Sequence, residues 1–207
     1  MQFSAEIRWF WPGQPPPGLV EWFHDAKIHA SAPSQDTEAL DRYIDNFARG
    51  ELGIKSKGDS VELKILVRKS AVPIAIGPFA GEIGIWGKWT TGSFLLPAKK
   101  PIGVTKKRWL RVFEAAQVVR ERTGAKGADN LKGDGSQGCQ LEITQVVLED
   151  SEVWWSFAFE TFGDMENAEH NLRAVAEFVA HRGPPTLTGG RLLSYPEWLQ
   201  SLKEAES

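Results

Sequence analysis

The chain has 207 residues, of which 42% are hydrophobic and 25% charged, with a formal net charge of −3. This is the composition of one ordinary globular domain, and it excludes disorder, collagen-like repeats and the basic field that would hold a nucleic-acid backbone non-specifically. The departure is aromatic: nine Trp and eleven Phe stand against two Tyr.

The single Cys139 has no partner for an internal disulfide, and the first residues lack the basic and apolar regions of a signal peptide. No apolar run reaches the ~20 residues of a membrane-spanning helix. A soluble cytoplasmic protein with no membrane partner is the expectation.

Along the chain, the first ten residues alternate: Gln2, Ser4, Glu6 and Arg8 share one parity, and Phe3, Ala5, Ile7 and Trp9 the other. Only a strand with two different faces reads this way. Pro12, Gly13 and Pro15 to Pro17 then impose a loop, because proline removes backbone donors and fixes φ. Residues 19–23 are compatible with a short helix, and residues 37–48 with helix or strand.

Alternation returns at Gly53, with Lys55 and Lys57 on one parity, a Gly58-Asp59 turn, and then Val61, Leu63 and Ile65 opposed to Glu62 and Lys64. This predicts a hairpin. Residues 81–89 place Glu82, Gly84, Trp86 and Lys88 against Ile83 and Ile85. Residues 104–113 have strand character, but their register stays open: either Lys106 and Arg108 or Lys107 and Arg111 face with the other charges. The glycines of residues 124–138 match neither GxGxxG nor GxxxxGK[ST] and predict a surface loop.

Two further strands follow, around residues 140–144 and 153–161, joined as a hairpin across Leu148 to Glu152. The second opposes Trp155, Phe157 and Phe159 to Trp154, Ser156, Ala158 and Glu160. The period then changes to three and four residues through Met165, Ala168, Leu172, Val175, Ala176 and Val179. That pattern predicts an amphipathic helix over about residues 165–182, stopped by Gly183-Pro184-Pro185. A last helix, about residues 195–203, starts either with Ser194 as its cap or with Pro196 in its first turn.

Gathered across the strands, one parity carries Ser4, Glu6, Arg8, Lys55, Lys57, Glu62, Lys64, Glu82, Lys88, Glu142, Thr144 and Glu160, while the other is almost wholly apolar. An ordinary half-solvated sheet explains this with the charges in water. A closed β-barrel explains it with the charges inside and helices covering the apolar exterior. Long residues of both signs favour the second arrangement. Lys and Arg in such an interior would grip phosphate oxygens, and grouped carboxylates would hold a divalent cation bridging the same phosphates.

The order Ser4-x-Glu6-x-Arg8, then Gly53-Ile54-Lys55-Ser56-Lys57, then Glu62-Leu63-Lys64, with Glu142 and Glu160 ahead of a C-terminal helix, resembles the CYTH or triphosphate tunnel metalloenzyme superfamily. That family carries ExExK on its first strand, followed by LRxR-like and LTxK-like strands and late acidic positions. The resemblance implies an α+β fold, a single domain over residues 1–207 whose antiparallel, tunnel-like barrel has helices packed outside it. It implies phosphate ligands at Arg8, Lys55, Lys57 and Lys64, to which the charged parity adds Lys88 and, in one of the two open registers of residues 104–113, Arg108. It also implies a Mg2+ or Mn2+ site at Glu6, Glu142 and Glu160.

Ser4 departs from the family pattern, because it replaces the first acid of ExExK and removes one charge from the metal cluster. Three readings follow: a metal-dependent phosphohydrolase acting on a triphosphate or other phosphorylated small molecule, a silent relative that binds an anionic ligand or a protein, and a lipocalin-like barrel. The four His show no zinc spacing, and Cys139 reads as an inert thiol. Most of the Trp and Phe read as packing. Trp86 and Trp154, which share the charged parity, are the exceptions, as channel-lining or pore-blocking side chains.

Overall fold

The alternation at the N-terminus does form a long strand. In a computed structural model, which describes residues 2–36, 38–44, 50–57, 60–92, 101–123, 136–148 and 153–206, β1 spans Gln2–Pro12 and is followed by the short helix α1 (Leu19–His24). Next come β2 (Ser34–Gln35), β3 (Ala39–Tyr43), β4 (Leu52–Lys57), β5 (Ser60–Lys69), β6 (Ile74–Ile76), β7 (Phe79–Gly81) and β8 (Gly84–Gly92). The second half contains β9 (Ile102–Ala115), β10 (Val119–Arg122), β11 (Gly138–Leu148), β12 (Val153–Phe162), α2 (Ala168–Ala180), β13 (Arg191–Leu192) and α3 (Tyr195–Glu206). The Gly58-Asp59 turn, residues 124–135 of the predicted loop and the link at residues 149–152 lie outside the described residues.

Strand pairing closes on itself. β1 pairs with β12 along one edge and with β8 along the other, and the ladder continues β8, β5, β4, β3, β9, β11 and back to β12. The result is a ring of eight strands, antiparallel throughout, in an α+β chain with three α-helices among the described residues. Both predicted hairpins are present: Lys55 lies opposite Glu62, and Glu142 opposite Ala158. The ambiguous residues 37–48 contain a strand, β3, and this strand closes the ring by pairing with β9.

The apolar parity faces outward and is covered over β1, β11 and β12, while Trp89 of β8 and Val67 of β5 stay exposed. Ala5, Ile7, Trp9, Ile85, Leu141, Ile143, Phe157 and Phe159 meet Leu172, Val175, Ala176 and Val179 of α2, Trp22 and Phe23 of α1, and Ile74 and Phe79 of the β6–β7 hairpin in one buried cluster. Phe79 packs edge-on against Phe159 at 4.8 Å, and Phe157 against the same ring at 5.5 Å. Each such fully buried aromatic contributes roughly 1.5–3 kcal/mol relative to exposure. Phe157 and Phe159 thus share one core with the long helix, as expected, whereas Trp155 is only partly buried at its margin, stacked on Trp109 at 6.0 Å.

The second C-terminal helix does not lie outside the strands, as the barrel reading expected of every helix. Trp198 and Leu199 of α3 are buried against Phe10, Tyr43, Val104, Val146 and Trp154. On β1 and β12, Phe10 and Trp154 share their parity with Arg8 and Glu160, so α3 closes one end of the ring over its inner face. The physical reason is local. At that end the inward positions are apolar, and the helix's own apolar side chains Trp198, Leu199 and Leu202 fall on one stripe.

Ser194 caps α3: its backbone N–H donates to Glu197 Oε2 at 2.7 Å, while Glu197 N–H donates to Ser194 Oγ at 3.3 Å. This reciprocal box makes Ser194 the cap, and Pro196, the second residue of α3, also stands in the first turn, so both expected features are present.

Candidate functional site

The inner face of the ring is identified by contacts that skip strands. Arg8 on β1 donates from Nε to Glu6 Oε1 at 2.8 Å and from Nη1 to Glu142 Oε1 on β11 at 2.6 Å, across the intervening β12. It also reaches Ser156 Oγ at 3.1 Å. Lys64 on β5 bonds Glu6 Oε2 across β8 and lies 3.7 Å from Glu160. Only side chains pointing into the ring can meet in this way.

Neighbouring strands extend the network. Arg108 bonds Asp36 and lies 3.6 Å from Glu142. Lys106 donates to Asp41 at 2.9 Å and to the Tyr43 hydroxyl at 2.6 Å. Lys55 reaches Asp41 at 3.1 Å and Glu62 at 3.4 Å, and Lys88 reaches Glu62 at 2.9 Å.

The open register of β9 is thereby decided, with Lys106 and Arg108 inside. Lys107 lies over the outer Trp109 ring, and Arg111 bonds Phe23 O, Ser31 O and Glu121 outside the ring. Arg8, Lys64, Arg108, Glu6, Glu142 and Glu160 thus fall in one ion-pair set, and Lys55 and Lys88 in a second on the same inner face, built around Asp41 and Glu62. Lys57 pairs with Ser60 in the hairpin, and its side chain lies outside the described part. Glu82 does not join the others. It precedes β8 and pairs at 2.7 Å with the exposed Lys69, because the alternation that carries Gly84, Trp86 and Lys88 inward begins only at Gly84.

Sequence reasoning missed Asp36, Asp41, Tyr43 and Tyr195. Asp41 and Tyr43 do alternate, but β3 is too short for a periodic signal. Asp36 follows a two-residue strand, and Tyr195 lies on a helix where strand parity has no meaning.

The ion pairing sets the charge states. Burial would raise the Glu6 carboxyl, but Lys64 and Arg8 outweigh it and hold it at about 2. The same competition holds Asp41 at about 2 through Lys106 and Lys55, and keeps Glu142 well below the usual carboxylate range through Arg8 and Arg108. Lys64 and Lys106 are raised, since their acidic and phenolic neighbours overcome desolvation. Glu6, Asp41, Glu142, Lys64 and Lys106 are therefore charged at neutral pH.

Glu6 and Glu160 lie directly opposite each other on β1 and β12, yet they do not form a metal centre in this arrangement. Both oxygens of Glu6 accept from cations, and Glu142 Oε1 accepts from Arg8 and, at 2.8 Å, from Thr144. Among the described residues no group of three His, Cys, Asp or Glu is placed to hold a metal ion. The carboxylates present serve the cations, so they do not fit a divalent ion without releasing Arg8 or Lys64.

One route to the network is lateral, while Lys88 and Arg108, which do not line it, are also partly exposed. The last β1–β8 pair is Glu6 with Gly84, and β13 takes up the same edge only at Trp9. Between them a cleft of about 80 Å³ reaches Glu6, Arg8, Leu66, Trp86 and Glu197. Trp86 leans so far over Gly84 that a Cβ there would fall 2.6 Å from its Nε1, and only glycine leaves that space. The Trp86 ring also receives Lys64 at 5.3 Å. Trp154 stands instead at the closed end, edge-on to Trp198 at 5.8 Å, a blocking position.

No protein-family model and no curated protein matches this chain. Among the described residues no helix is long and apolar enough to cross a membrane.

Proposed function

We propose that the protein binds a small phosphorylated anion of the oligophosphate type inside the strand ring, as a divergent, metal-independent relative of the CYTH superfamily. The observation that carries this reading is the placement of Arg8, Lys55, Lys64, Lys88, Lys106 and Arg108 on one enclosed face, each paired with a carboxylate. Buried ion pairs contribute little net stability, because desolvation offsets the attraction. A chain that concentrates them on its inner face, while its apolar residues make a separate outer core, keeps those cations for something other than folding.

Phosphate oxygens replace carboxylate oxygens in the same hydrogen-bond geometry. Binding then proceeds by exchange: a ligand phosphate takes the place of Glu6, Glu142 or Asp41 at the guanidinium or ammonium, and the freed carboxylate turns away. The family's triphosphate specificity and the motif resemblance of Ser4-x-Glu6-x-Arg8 point to the same ligand class. The absence of an acid at Ser4 supports binding without hydrolysis.

Calorimetric titration of the purified protein with inorganic tripolyphosphate, with and without Mg2+ or Mn2+, tests this. Saturable, salt-sensitive binding that needs no metal, with no phosphate released, is the expected result. Failure to bind at millimolar ligand would overturn the reading. Release of phosphate only with Mg2+ or Mn2+ would replace it by the hydrolytic one, in which Glu6, Glu142 and Glu160 leave their cations for the metal.

A further inference from the structure

Tyr195 occupies a position that packing alone does not account for. It is the first residue of α3, and its ring is edge-on to Phe10 at 5.2 Å and parallel to Tyr43 at 6.2 Å, so it belongs to the closed end of the ring. On the side facing the network, Lys106 Nζ lies 3.8 Å and the Arg8 guanidinium 4.7 Å from its centroid. Its hydroxyl oxygen is buried and has no hydrogen-bond partner.

A phenol in a purely structural role either reaches an acceptor or is replaced by phenylalanine, because an unbonded buried hydroxyl forfeits its hydration without return. Here the hydroxyl is a donor: burial raises its pKa and keeps it protonated. Lys106 and Arg8 lie over the face of its ring, and the nearby Glu142 carboxylate, already taken by Arg8 and Thr144, makes no hydrogen bond to the hydroxyl, which is left a donor without an acceptor beside two cations. The complement of such a group is an anionic oxygen. Beyond it, Phe10, Val146, Trp154 and Trp198 close the ring with apolar side chains, so an extended ligand ends at this point.

We propose that Tyr195 determines which ligands the ring takes, by donating its hydroxyl hydrogen to the terminal phosphoryl group of an oligophosphate whose charge is met by Lys106 and Arg8. The inference rests on the binding reading above and adds to it a terminal subsite, carried by α3. It makes α3 a ligand-contacting element as well as a closure, and it favours ligands with a free terminal phosphoryl group over those blocked at both ends.

Tyr195→Phe isolates the hydroxyl, since the ring, its stacking and its cation contacts are retained. Tripolyphosphate and pyrophosphate are titrated into the wild type and the variant, and both proteins are melted without ligand. A charge-assisted hydrogen bond lost on binding is expected to weaken tripolyphosphate affinity about tenfold to a hundredfold, while the ligand-free Tm is unchanged or higher.

Equal affinity in the two proteins would overturn the subsite and leave the binding reading standing. A lower ligand-free Tm would also overturn it, by showing that the hydroxyl is needed for folding. Absence of tripolyphosphate binding in the wild type would remove both.

Discussion

The two faces of the strand ring are built from the same strands by opposite chemistry. Outside, Phe157, Phe159, Trp9 and Ile7 are dry and meet α1, α2 and the β6–β7 hairpin in one continuous core. Inside, Arg8, Glu6 and Glu142 are almost as deeply buried, at 4%, 4% and 2% exposure, yet they touch one another through charge. Equal burial therefore carries unequal energy. An outer aromatic gains free energy on leaving water, whereas an inner ion must first recover what it lost on leaving it. The outer face holds the fold together, and the inner face is a pre-arranged set of charges that the outer face can sustain.

The largest effect that sharpens this contrast is expected from Phe157→Ala. Its ring touches Trp9, Trp22, Phe23, Phe79 and Phe159, and a cavity there is expected to lower unfolding stability by about 3–5 kcal/mol. Urea denaturation measures it, and a loss below about 1 kcal/mol would show that the outer core is not where stability resides.

Next in size is the response of the inner face to acid. Glu6 and Asp41 titrate at about 2 in the folded chain, below their ordinary values of 4.5 and 3.8. Folded-state values that are depressed contribute stability that is complete above the unfolded values and is lost as pH falls through the folded ones. Stability is thus expected to be level from pH 7 to about 5 and to fall between about 5 and 2, by roughly 2–3 kcal/mol for each of these groups. Urea midpoints across that range check it. A flat profile would mean that the pairs Glu6 with Lys64 and Asp41 with Lys106 are not formed in solution.

The smallest effect concerns the closure between the two faces. Ser194→Ala removes one half of the capping box that starts α3 and is expected to cost about 1 kcal/mol. The corresponding fall in Tm is about 2–4 °C for a chain of this size, measured by thermal denaturation. A much larger fall would show that α3 organises the interior as well as closing it.

The hairpins were legible because their alternation is long: ten residues of β5 and ten of β12 carry a clear period of two. The candidate site was legible in part for the same reason, since Glu6, Arg8, Lys55, Lys64, Lys88, Glu142 and Glu160 all follow strand parity. Arg108 was ambiguous. In Thr105-Lys106-Lys107-Arg108 basic residues occupy both parities, so the pattern contained no information on which pair turns inward. Asp41 and Tyr43, on a five-residue strand, gave too few periods to read, and Asp36 and Tyr195 lie where no strand period applies.

What the sequence determined by itself is the sorting of side chains into two classes along each strand, because successive residues of an extended chain must point to opposite faces. It also determined the change to a helical period after Met165 and the capping signal at Ser194. Only the tertiary structure decided which class is enclosed, because that depends on whether β3 meets β9 and closes the ring, a pairing between segments some sixty residues apart. It alone decided the partners of each charge, as with Arg8 and Glu142, separated by 134 positions. It alone placed α3 across one end, where a phenol from a helix meets cations from two strands. Alternation is a property of one strand, but closure and charge pairing belong to the chain as a whole.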